Sequence, residues 1–325
     1  MQIKYFIQLI RPINLIITAL AMYAVRWFII IPILKTCIIN DGYLAPYLNE
    51  TEFLLLVLSV VLINAAGYVV NDFCDVETDT INKPEQLIVT QHISYKTTTI
   101  FYYTLNFIAL IFASIISLKV HSIRLSSIHL ASIGLLWMYA MYLKKLPLVG
   151  NLSVAILSAT VLLIPIFYEP KVFYNQDETF KTSLSLILII GLIIGTFAFI
   201  TTLIREIIKD LQDKDGDQQT GCNTLPIYTS IKTTKIIIIL LLSICSLLIA
   251  WIQYHLFINK AIYTLFNTWN LFCTILLQIP LLIVVAKLIQ ASNSKHYKIL
   301  SITIKGIMMA GIISLFFVKL WFDKS

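Results

Sequence analysis

Seven of the ten aspartates in this chain fall in two eight-residue windows, Asp72 to Asp79 and Asp210 to Asp217, although 58% of its residues are hydrophobic. Both windows carry the spacing D-x-x-D-x-x-x-D, as Asp72, Asp75 and Asp79 and again as Asp210, Asp213 and Asp217. On a helix, offsets of three and seven put three side chains within about 60° of one face. Carboxylates are hard oxygen donors, and Mg²⁺ usually sits between one or two of them and the phosphates of a substrate. The spacing therefore points to two acidic faces that meet around Mg²⁺ and a diphosphate. All six aspartates are candidate metal ligands, with Asp72, Asp75, Asp210 and Asp213 central to catalysis. Asp215 and Glu77 lie off that face and read as solvated or supporting groups.

The elements that must position these residues are membrane spans. Only 13% of residues are charged, against roughly 25% in soluble domains. A helical span needs about 20 mostly apolar residues. The sequence predicts nine, near 12–34, 53–70, 97–118, 126–143, 147–167, 183–204, 235–257, 269–288 and 300–321. The expected fold is thus all-α, a polytopic membrane bundle in one domain over residues 1–325. Its first span is too long for a cleavable signal peptide and lacks a small-residue cleavage site. Both aspartate windows follow even-numbered spans, the second and the sixth, so nine spans place them on one side of the bilayer. With the N-terminus inside, that side also collects most of the lysines and arginines, Lys144, Lys145, Arg205 and Lys209 among them, although the loop with Lys119 and Arg124 dissents. The positive-inside rule then makes it the cytoplasmic side. The net charge of +7 belongs to this face and to anionic lipid, with no nucleic acid required.

Other chemistries find little support. Five scattered cysteines contain no C-x-x-C pair, and the five histidines offer no ligand spacing. Arg26, fifteen residues after Arg11, reads as a side chain that snorkels to the far headgroups. Gly191 and Gly195 read as a close helix-packing pair, and Asn64 as an interhelical hydrogen bonder.

The motifs resemble those of the UbiA-type superfamily of intramembrane prenyltransferases over nearly the whole chain. The first signature of that family is similar to Asn71-Asp72-Phe-Cys-Asp75-Val-Glu-Thr-Asp79 with Asn82-Lys83-Pro84 behind it. The second is similar to Arg205-Glu206-Ile-Ile-Lys209-Asp210-Leu-Gln-Asp213-Lys-Asp215-Gly-Asp217. Between them, Tyr142-Leu-Lys144-Lys145-Leu-Pro147-Leu-Val-Gly150-Asn151 resembles a basic helix end of the family, and Arg11-Pro12-Ile-Asn14 is a weaker likeness. The resemblance implies a central chamber in the bundle, Mg²⁺ bridging the aspartates and an isoprenyl diphosphate, and transfer of the isoprenyl group to an acceptor. It implies substrate-binding roles for Asn71, Lys83, Tyr142, Lys144, Lys145, Arg205 and Lys209. Many relatives carry Arg two residues after the proline of the first motif where this chain has Gln86, a place Lys83 could fill.

The run from Arg205 to Asp217, followed by Thr220 to Pro226, looks most like the branch that prenylates geranylgeranylglyceryl phosphate from geranylgeranyl diphosphate. An aromatic quinone precursor, 4-hydroxybenzoate or a dihydroxynaphthoate, is the alternative acceptor. A cation transporter is the alternative of a different class, since intramembrane carboxylates can mark ion pathways. No protein partner is implied. The expected location is the cell inner membrane, with the active site on the cytoplasmic side.

Overall fold

A bilayer offers no water to bond exposed amide groups, so long apolar runs close their backbone hydrogen bonds internally and become helices. The computed structural model describes residues 2–39, 42–82, 84–174, 178–258 and 263–323. The first half contains α1 (Gln2–Leu9), α2 (Pro12–Val25), α3 (Ile31–Lys35), α4 (Glu50–Cys74), α5 (Val76–Asn82), α6 (Tyr95–Lys119) and α7 (Ser126–Met141). The second half contains α8 (Val149–Phe167), α9 (Lys171–Tyr174), α10 (Glu178–Gln219), α11 (Leu225–Tyr228), α12 (Ile231–Ile258), α13 (Tyr263–Cys273), α14 (Ile279–Gln290) and α15 (Ser294–Phe322). One two-residue hairpin, Ile38–Ile39 against Gly42–Tyr43, is the only sheet among the described residues.

Eight helical stretches are long and apolar enough to cross a membrane. The ninth expected span, 126–143, corresponds to α7, whose 16 residues reach about 24 Å and fall short of a hydrocarbon core of about 30 Å. The count of nine full-length spans is therefore not met among the described residues. Even so, α7 holds the fourth position in the bundle, packed between α4, α6 and α8.

Two helices organise the rest. α4 packs on α2, α6 and α7, while α10 packs on α8, α12 and α15. α4 starts at a capping box, in which Asn49 and Glu52 satisfy each other's backbone amides. Close approach of α10 to α8 is set at Gly191, where an added Cβ would stand 2.2 Å from the Ile166 side chain, and Gly195 faces Leu163. Asn64 of α4 donates to the Thr18 hydroxyl of α2 at 3.2 Å, as an interhelical bond.

Two spans carry a wider π turn, Arg26–Ile30 and Thr274–Gln278, each just before a helix with proline in its first turn. Proline removes a donor and crowds the carbonyl four residues back, and a local widening relieves both. The first π turn turns Arg26 into the protein. Arg26 is 4% exposed, so it does not snorkel to headgroups as its position in the sequence suggests. Its guanidinium donates to the Leu48 carbonyl at 2.7 Å, pairs with Glu50 at 3.1 Å and lies 4.4 Å from the Phe53 ring centre. Buried cations are kept only where hydrogen bonds and counter-charge replace water. Arg26→Ala should therefore destabilise the protein by about 2–4 kcal/mol, from lost packing and an orphaned carbonyl, seen as a lower melting temperature in detergent.

Candidate active site

The two aspartate motifs are built differently. α4 ends at Cys74, Asp75 takes φ −91° and ψ 4°, and α5 begins at Val76. Asp72 thus lies on α4, Asp75 at the break and Asp79 on α5, so the single helical face expected for this motif is interrupted. Carboxylate and amide side chains that bond locally favour such breaks. Here the Asp75 carboxylate accepts from Asn71 Nδ2 at 2.6 Å and from Lys144 Nζ at 2.5 Å. The second motif stays on one helix. α10 runs 42 residues, about 63 Å, and its last turns carry Asp210, Asp213 and Asp217 beyond the reach of a bilayer core.

All six aspartates line one cavity of about 710 Å³. Thr78 and Thr220 bridge the two motifs at 3.4 Å. With Glu85 and Glu206, eight carboxylates face this space against the cations Lys4, Arg11, Lys144 and Lys209, a formal excess of four negative charges.

Cations and amides hold the rim in place. Arg11 pairs with Asp72 at 2.5 Å and lies 5.0 Å from the ring centre of Tyr68. It occupies the left-handed region, φ 52°, between α1 and α2, a conformation that costs a non-glycine residue about 1–2 kcal/mol. Pro12, which cannot extend the preceding helix, starts α2 behind it. Asn151 donates to Asp210 at 2.8 Å. Glu206, 6% exposed, is gripped by Arg205 at 2.7 Å and Lys209 at 2.8 Å. Lys144 owes its position to Gly150: a Cβ there would come within 2.8 Å of the Lys144 Cα and 2.9 Å of the Leu143 carbonyl. Only a glycine lets the start of α8 lie against the Leu143–Lys145 turn.

Above this cavity lies an apolar chamber of about 990 Å³ reaching Trp321 and Phe322. Arg11, Asn71, Tyr139, Glu206 and Lys209 line both spaces, so the two adjoin through a polar belt. Asn71, Lys144 and Lys209 stand where the sequence reading places them, at the cavity, and Arg205 lines the chamber. Lys145 and Tyr142 do not reach either space. Lys145 points outward, and Tyr142 is 58% exposed with its ring against Trp137. Lys83 lies outside the described residues, as does the side chain of Gln86.

Sequence reasoning assigned no role in the cavity to Tyr139, Asn151 or Glu206, and only a weak likeness to Arg11. Tyr139 sits one helical turn before Tyr142 and takes the inward place that Tyr142 was expected to hold. Lys305, whose place near the start of the last span reads as one more cytoplasmic flanking cation, lines the chamber. Its signal was a lone cation inside an apolar run.

The donor set suits a hard divalent cation. The carbonyl oxygen of Asn71 is buried with no hydrogen-bond partner among the described residues, and the surrounding carboxylates are in excess. Among the described residues no three acidic, histidine or cysteine side chains converge closely enough to hold a metal by themselves. An ion here would need further oxygens, as Mg²⁺ commonly takes from substrate phosphates.

The profile of the UbiA prenyltransferase family matches residues 15–298. The chain is 33% identical over 252 residues to digeranylgeranylglyceryl phosphate synthase of Saccharolobus solfataricus, covering 76% of this chain and 78% of that protein. It is 29% identical to the protein of that name from Methanobrevibacter smithii, covering 78% and 79%. Its fold resembles a UbiA homolog from Aeropyrum pernix K1, with TM-score 0.62, 13% identity and coverage of 90% and 96%. It also resembles a UbiA homolog from Archaeoglobus fulgidus bound to GPP and Mg²⁺, with TM-score 0.54, 16% identity and coverage of 96% and 99%.

Gly150→Ala should push the Leu143–Lys145 turn away and destabilise the protein by about 1–3 kcal/mol. The check is a lower melting temperature, with Lys144→Ala adding little further loss because both changes release the same contact.

Proposed function

This chain belongs to the UbiA prenyltransferase family and is an integral membrane prenyltransferase, and we propose that it transfers a geranylgeranyl group from geranylgeranyl diphosphate to geranylgeranylglyceryl phosphate. The observation that carries the reading is the junction of an aspartate-lined cavity with a long apolar chamber through one polar belt. A diphosphate belongs to the first space and an isoprenoid chain to the second, which puts the reacting carbon at the belt. The names of the relatives at 29–33% identity favour the ether-lipid acceptor over an aromatic acid.

Asp72, Asp75, Asp79, Asp210, Asp213 and Asp217, with the free carbonyl of Asn71, are the oxygens that would hold Mg²⁺. Bound there, Mg²⁺ supplies Lewis-acid neutralisation of the charge that grows on the leaving diphosphate. The protein supplies the rest. Arg11, Lys144 and Lys209, each paired with a carboxylate at the rim, add fixed positive charge beside the leaving group. Asn151 fixes the Asp210 carboxylate, and Glu206 fixes Lys209. The acceptor hydroxyl bonds to the first carbon of the isoprenyl chain as that carbon's bond to the diphosphate oxygen breaks, and the hydroxyl proton is released. The apolar chamber keeps water from the electron-deficient carbon, and Tyr139, which lines both spaces, offers an aromatic ring to the developing cation. The bias of lysine and arginine supports a cytoplasmic location for the aspartate cavity, in keeping with an enzyme of the cell inner membrane.

Asp72→Asn or Asp210→Asn should lower turnover at least 100-fold, an expectation on the scale of lost electrostatic stabilisation, with the melting temperature within a few degrees of wild type. Pyrophosphate release from geranylgeranyl diphosphate, measured with and without geranylgeranylglyceryl phosphate, is the assay. Wild-type turnover in either variant would remove the metal assignment. Because the carboxylates do not close around an ion unaided, Mn²⁺ followed by electron paramagnetic resonance should bind at least tenfold more tightly when inorganic pyrophosphate is present. Equal affinity with and without it would contradict shared coordination.

A further inference from the structure

Lys305 lies eleven residues into α15, about 17 Å along the helix from Ser294, and lines the apolar chamber. Among the described residues its Nζ makes one hydrogen bond, to the Asn14 side-chain oxygen at 2.6 Å, and no ion pair. A cation at membrane depth is costly, and one retained with only a neutral amide for company marks a binding or transport path. A second cation, Arg205, lines the same chamber. Arg205 spends Nη1 on Glu206, while its Nε is buried with no partner among the described residues. Arg205 and Lys209 share the carboxylate of Glu206 and Arg11 pairs with Asp72, so among the cations that line the chamber Lys305 alone has no carboxylate among the described residues, and its charge is open to an anion that binds. A phosphate monoester carries about −1.5 to −2 charges at pH 7.

Position separates this anion from the leaving group. Arg205 stands five residues, about 7.5 Å, from Asp210 along α10 on the chamber side, and Arg205 and Lys305 line the chamber and not the aspartate cavity. From Lys305 the chamber continues about 24 Å along α15 to Trp321, enough apolar wall for a chain attached to the anion. We propose that Lys305 and Arg205 form a subsite for the phosphate monoester of the lipid acceptor, with Asn14 holding the Lys305 ammonium in place. The proposal rests on the reading of the adjoining cavity as the prenyl-transfer site. It makes Lys305 a specificity residue that selects a phosphorylated acceptor over a neutral or carboxylate one.

The test uses the full chain in detergent and a C16 alkylglycerol monophosphate, with the unphosphorylated alkylglycerol, 4-hydroxybenzoate and inorganic phosphate as separate arms. Binding is followed by the fluorescence of the chamber tryptophans, and turnover by pyrophosphate release from geranylgeranyl diphosphate. Wild type should bind the lipid phosphate at least tenfold more tightly than the neutral lipid or inorganic phosphate. Lys305→Met should erase that preference and raise KM for the phosphorylated acceptor at least tenfold, with KM for geranylgeranyl diphosphate changing less than twofold. Lys305→Arg should restore part of the preference, and Asn14→Ala, which leaves the charge in place, should weaken it in the same direction. An unchanged preference in Lys305→Met, an equal rise in KM for the diphosphate, or a loss confined to 4-hydroxybenzoate would overturn the subsite. Absence of pyrophosphate release from wild type with every acceptor would instead reject the prenyl-transfer reading, and the binding arms would still decide the subsite.

Discussion

Placing eight carboxylates around one cavity at the end of an apolar bundle is the constraint on which this structure depends. Like charges at such separations repel strongly wherever water is scarce, and the fold answers with cations delivered from separate elements. Arg11 arrives from the α1–α2 junction, Lys144 from the turn before α8, and Lys209 from α10 itself. Each fixes a carboxylate, yet the negative excess persists. That residue of charge is what makes the cavity a receptor for cations and for the phosphates that travel with them.

The backbone is shaped to the same end. Arg11 takes a left-handed conformation and Leu148 another, with φ 67°. Both stand just before helices that present functional side chains, and strain held by surrounding packing is commonly found beside binding sites. Gly150 removes the one Cβ that would block the approach of α8. On the far side of the bundle, Arg26 has its charge met by Glu50 and a carbonyl and takes no part in this belt.

Where the polar cavity meets the apolar chamber, the charged residues divide the labour. Glu206 restrains Arg205 and Lys209 through short ion pairs, while Lys305 is left with an amide. Buried pairs contribute little net stability, whereas a cation at membrane depth without a carboxylate is a cost to the fold. Such costs persist where binding requires them.

The all-helical membrane class, the pairing of two aspartate motifs and the family likeness were legible in the sequence, because hydropathy and three-and-seven spacing are local properties of the chain. So was the place of Asn71, Lys144 and Lys209, which sit beside or within those motifs. What decides whether a side chain reaches the cavity is its rotation about its own helix and the approach of neighbours distant in sequence. Only packing therefore chose Lys144 over Lys145 and Tyr139 over Tyr142, broke the first motif at Asp75, and drew Arg26 inward. Lys305 meets Asn14 across 291 residues, a contact no local pattern encodes, because it exists only where α15 closes against α2.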